Sequence, residues 1–163
     1  MTKKQKNTNG FTIAEVLICL AIFSIILTAV AVAFEASGSN YNQNRDMFQA
    51  VDSARMALGR MTSQIRSAQA VSTADPATQC SLITSDSQDI VFRYNSGDKT
   101  VYLDKDENSY RLCTDVDGLT FTRQTANDAN GVSYVKSVKM SITVKPNDIP
   151  QTLSTAVVLR KML

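Results

Sequence analysis

The chain has 163 residues with 17 Lys and Arg against 15 Asp and Glu, a formal net charge of +2, and no histidine. The length suits about one ordinary domain of ~150 residues plus an appendage. With Lys3, Lys4 and Lys6 set aside, 14 cations face 15 acids, so global charge gives no support to nucleic-acid binding. The missing histidine removes Ser-His and Cys-His nucleophile pairs and histidine-bearing zinc sites.

The first predicted element is a basic leader, "MTKKQKNTNG", over residues 1–10. It is followed from Phe11 to Phe34 by an apolar run whose only charge is Glu15 and which no proline or glycine interrupts. As a helix this run is ~36 Å long at ~1.5 Å per residue. That exceeds the ~30 Å hydrocarbon core, so residues 11–34 can span a membrane with some tilt. The flanking lysines favour a cytoplasmic leader and delivery of the rest to the outside. A secretory signal would have an apolar region of ~7–15 residues and a small-residue cleavage site, and this run fits neither. A plain signal anchor would explain the hydropathy but not Glu15, since an ionisable group in a spanning helix is costly and usually marks a functional partner.

Residues 35–75 are expected to continue the helix outside the membrane. Gly38 is a weak point worth ~1 kcal/mol against alanine, which predicts a kink or fraying there. Val51, Ala54, Leu58, Met61, Ile65 and Ala68 then recur three and four apart and form one apolar stripe, expected to pack on the chain's own sheet. Asp75-Pro76 is expected to close the helix.

Residues 76–163 are predicted to form a β-rich head. The segments "CSLIT", "DIVFRYN", "TVYLD", "SYRLC", "GLTFTRQ", "VKSVKMSITVK" and "LSTAVVLR" read as strands, with Val138, Met140, Ile142 and Val144 alternating. The fold class is therefore α+β, a long N-terminal helix packed on an antiparallel sheet. Within "LDKDENSY", Asp104, Asp106 and Asn108 alternate like the start of a calcium loop, but Ser109 and Asp115 fall where that loop wants glycine and glutamate. A solvated hairpin turn is favoured, and no metal or cofactor is expected. Cys80 and Cys113 lie outside the cytoplasm under this orientation. A bridge between them would close a loop of about 33 residues and stabilise the head by ~3 kcal/mol. Two separate thiols are the alternative, and Cys19 reads as a small apolar residue of the membrane helix.

"GFTIAEVLICLAIFSIIL" after the basic leader resembles the class III signal of prepilins, the precursors of type IV pilins and of type II secretion pseudopilins. The resemblance implies cleavage after Gly10 by a prepilin peptidase, N-methylation of Phe11, and a subunit-assembly role for Glu15, whose carboxylate would neutralise the new α-amine of a neighbouring subunit. It further implies a non-enzymatic filament subunit, partnered by other minor and major pilins or pseudopilins and by the inner membrane and its assembly platform. "ARMALGRMTSQIRSAQ" together with "LSTAVVLR" resembles the minor pseudopilins of the class called J and their type IV pilus counterparts. Major pilins commonly carry a proline in the long helix and a C-terminal cysteine loop. Here the prolines are Pro76, Pro146 and Pro150 and the last cysteine is Cys113, which favours a minor subunit that primes or caps assembly. The alternatives are a major pilin of the filament shaft and an unprocessed single-pass binding or sensor protein.

Overall fold

The computed structural model describes residues 10–128 and 131–159, so the leader lysines and Arg160 lie outside the described residues. Helix α1 spans Ile13–Ser67. It is followed by β1 (Ala70–Val71), β2 (Gln79–Ile83), β3 (Asp89–Asn95), β4 (Thr100–Lys105), β5 (Asn108–Cys113), β6 (Val116–Asn127), β7 (Ser133–Val144) and β8 (Gln151–Val158). The chain divides into two compact units, residues up to Asn42 and residues from Gln43 onward.

In the first unit, the apolar part of α1 is built from alanine, branched aliphatic and phenylalanine residues with no proline, and the helix continues through Gly38 without the expected interruption. Among the large apolar side chains, Phe11, Ile13, Leu17, Phe23 and Phe34 are all exposed.

In the second unit, the remaining turns of α1 supply Ala54, Ala57, Leu58, Met61 and Ile65 to the core, so the stripe lies where its 3.6-residue period puts it. Val51 is half-buried at its edge and Ala57 is an added member. The helix ends at Ser67 rather than at Asp75-Pro76. Backbone pairing overrides the helical pattern there: Gln69 donates to Ile83 O at 2.8 Å, and Ala70 and Val71 pair with Ile83 and Leu82.

The strands form two antiparallel sheets rather than the single sheet expected, one ordered β1-β2-β3-β4-β5 and the other β6-β7-β8. Alternation sets which face is buried: Val138, Met140, Ile142 and Val144 of β7 are all buried, and they share one core with Phe92, Leu103 and the α1 stripe. The sheets are tied by Tyr94, whose hydroxyl donates to Val116 O at 2.9 Å, and by Phe121 N donating to Ala77 O at 2.7 Å.

A polar hub lies between the sheets. Asp75 accepts from Ser81 N at 2.6 Å and from Ser72 Oγ at 2.9 Å, and its Oδ2 is 3.8 Å from Arg123 Nη2. Arg123, on β6, also donates to Asp75 O at 3.1 Å and to Gln79 O. Asp75 thus ties the α1–β2 connection to the sheet instead of closing a helix.

"LDKDENSY" is the β4–β5 hairpin, with Lys105 opposite Asn108 and a two-residue turn at Asp106 (φ 50°) and Glu107 (φ 62°). Two successive left-handed residues define a type I′ turn. The Asp104 carboxylate accepts from Arg93 at 3.0 Å and from Ser109 at 2.5 Å.

Cys80 and Cys113 are free and buried. Cys80 is on β2 and Cys113 on β5, with β3 and β4 between them. Three strand spacings of ~4.8 Å separate the two strands by ~14 Å, well beyond the ~7 Å limit for bridged Cα atoms. This separation favours the alternative of two separate thiols over the bridge.

Candidate functional site

The sequence places Gly10, Phe11 and Glu15 at the start of α1, and the structure gives that start a defined geometry. Gly10, Phe11 and Thr12 are irregular chain. Thr12 O accepts the first helical hydrogen bond, from Val16 N at 3.2 Å, which makes Thr12 the N-cap. Its side-chain Oγ1 accepts from Glu15 N at 3.2 Å. In return, Glu15 Oε2 accepts from Thr12 N at 2.9 Å and from Thr12 Oγ1 at 3.0 Å.

This reciprocal pair is a capping box, in which a threonine and the glutamate three positions later satisfy each other's free N–H groups. Sequence reasoning missed the role of Thr12, although T-x-x-E before an apolar run is the signal for it. The arrangement explains how an acidic residue sits in an otherwise apolar segment. The carboxylate is held at the positive end of the helix and satisfies a donor that lipid would leave bare. Both bonds fall on Oε2, so Oε1 remains to accept a donor from outside the helix.

Around this cap the surface is open. A Cβ built on Gly10 would meet nothing within 4 Å, and Phe11 is 84% exposed. The most apolar stretch of α1 is long enough to cross a membrane, and none of it is buried. Cys19 lies exposed on the same stretch.

The class these features define is α+β, with a long apolar N-terminal helix continuing onto antiparallel sheets. Residues 5–31 match the family model described as the prokaryotic N-terminal methylation motif, so the chain carries the class III signal of type IV pilins. The match ends within the apolar half of α1 and takes in none of the head. No curated protein matches the chain. The signal implies processing by a prepilin peptidase and assembly with other pilins, and the apolar helix fits a single-pass inner-membrane anchor.

Proposed function

We propose that the chain is a minor pilin or pseudopilin, a non-enzymatic subunit that primes or caps a type IV pilus-like or type II secretion filament, and that its head is of the class called J. The leader stays inside, the head is delivered outside, and a prepilin peptidase cuts after Gly10 and methylates the new terminus at Phe11. Glu15 then receives the α-amine of a neighbouring subunit on Oε1 while Oε2 keeps its own helix capped. Unpaired in lipid, each of those charges is costly, whereas paired they specify the register between subunits.

The observation that carries this reading is the coincidence of the methylation motif over residues 5–31 with a carboxylate held in the first turn of an exposed apolar helix. Intact-mass measurement of the chain from its native host tests it. A mature chain starting at Phe11 with one added methyl group is expected, and a chain that keeps residues 1–10 would refute it.

A further inference from the structure

Exposed sheet edges invite pairing, and natural proteins blunt them with short strands, bulges, charges or cover. Three of the four edges among the described residues are treated in one of those ways. β1 is two residues long. β5 carries Arg111 and a register shift that leaves Leu112 unopposed. β6 is covered by the segment before β2, through Phe121 N to Ala77 O and through Arg123.

Among the described residues, the fourth edge, β8, has none of these devices. Its eight residues, "QTLSTAVV", contain no charge and no proline, and its register with β7 runs from Ser137↔Val158 to Val144↔Gln151 without a bulge. Leu159 N donates to Lys136 O at 3.0 Å, one step beyond that register. Antiparallel pairs alternate between bonded and non-bonded, so the odd-numbered residues of β8 bond to β7 and the even-numbered ones do not. The side chains agree: Ser141 and Ser154 hydroxyls meet at 2.7 Å and those of Thr143 and Thr152 at 2.9 Å, the close approach of non-bonded pairs. Thr152, Ser154, Ala156 and Val158 therefore turn their N–H and C=O groups away from the sheet.

A groove flanks the start of this edge. Met47, Phe48, Val51, Asp52 and Arg55 of α1 line a cleft of about 460 Å³ that Gln151, the first residue of β8, closes at one end. Phe48 is 75% exposed there, and the one acid and one base on the wall give no net charge. A strand added beside β8 would hydrogen-bond to the four outward residues, and its end beside Gln151 would set an apolar side chain into the groove, the combination used in β-augmentation.

We infer that β8 and the Met47–Phe48–Val51 groove form a docking edge for an uncharged extended segment, apolar at its end beside Gln151, donated by a different filament subunit. Geometry disfavours a second copy. An antiparallel β8–β8 pair has its two-fold axis perpendicular to the sheet, and α1 packs along the sheet face, so the axis would reverse the direction of the partner's α1. Under the filament reading, copies that repeat along one filament share an orientation, so such a reversed pair has no place in it. A parallel self-pairing would put the partner's α1 on the opposite face and leave the groove unfilled. The open edge stands on the head geometry alone, while the choice of a different subunit rests on the filament reading above.

The test uses the full chain in detergent micelles, alone and mixed with each full-length chain of its host that carries the same N-terminal methylation motif. Residue-resolved hydrogen exchange should show the amides of Thr152, Ser154, Ala156 and Val158 slowed at least tenfold by one of those chains. Ala156→Pro deletes an outward N–H without removing a bond to β7, a position where an edge strand tolerates proline. It should weaken association at least tenfold, as should Phe48→Ser, and both variants should retain native exchange protection in β3 and β4. Protection that rises with the concentration of the chain alone would overturn the inference, as would β8 amides left unprotected in every mixture or undiminished binding by both variants. The mass of the same native chain separates the two failures: a chain starting at Phe11 with β8 unprotected rejects the docking edge and leaves the filament reading standing.

Discussion

Replacing Arg123 with methionine should be among the most damaging single changes in the head, because it empties the hub between the two sheets. The side chains of Arg123 and Asp75 are 9% and 14% exposed, so the pair is poorly screened by water. At 3.8 Å the gross attraction is about 4 kcal/mol for an effective dielectric of ~20, much of it offset by desolvation. The substitution also strips a donor from the carbonyls of Asp75 and Gln79, at ~1 kcal/mol each. A net loss of about 3–4 kcal/mol follows, within the range for breaking one side of a buried pair. Denaturant unfolding of the full chain in detergent, followed by tyrosine fluorescence, measures it. Burial lifts the Asp75 carboxyl, but the Ser81 amide, the Ser72 hydroxyl and Arg123 more than offset this and hold it below the ordinary carboxylate value. Its contribution is therefore complete above the unfolded value of ~3.9 and fades as pH falls through the lower folded value. A loss under ~1 kcal/mol for Arg123→Met, with no change in the acid limb of the stability profile, would show that the pair only breaks even.

Glu107→Gly should raise stability by about 1 kcal/mol, read as an increased unfolding midpoint, since Glu107 adopts a left-handed conformation (φ 62°) that glycine enters freely. Glu15→Gln keeps an acceptor for Thr12 while Glu15→Val removes it; both should insert in the membrane, but both should fall out of filaments in shearing and immunoblot assays, and normal incorporation of the glutamine variant would remove the need for a charge. The Cys80 and Cys113 thiols are each raised to about 11 by burial, against which Arg123 pulls Cys80 slightly down. Native protein should therefore resist alkylation at both sites for hours, and denaturation without reductant should expose two free thiols there; a linked peptide would refute the strand separation.

Much of the fold was legible because its signals are periodic. The α1 stripe and the alternation in β7 each put apolar residues on one face at the period of their element, and burial follows that pattern at Met61, Ile65, Met140 and Ile142. What escaped is non-local. Nothing in "SAQAV" announces that Ala70 and Val71 will leave the helix to pair with Leu82 and Ile83, because the deciding partner lies a dozen residues away. The division into two sheets escaped for the same reason, as strand runs reveal their own faces and not their neighbours across a gap. At the N-terminus Glu15 stood out by its charge. Thr12 did not, because a threonine beside an apolar run looks like filler until its hydroxyl is seen to cap the helix.

The position of that cap also governs what an enzyme can reach. A helix beginning at Ile13 leaves the bond between Gly10 and Phe11 in irregular chain, free of the main-chain hydrogen bonding that would fold it into a turn. Proteolysis favours backbone that is exposed and lacks such bonding. By fixing the first turn, Thr12 and Glu15 act as a stop, keeping the proposed scissile bond and the apolar helix adjacent in sequence yet distinct in conformation, so that these two residues would mark both the end of what a peptidase reads and the start of the helix it leaves behind.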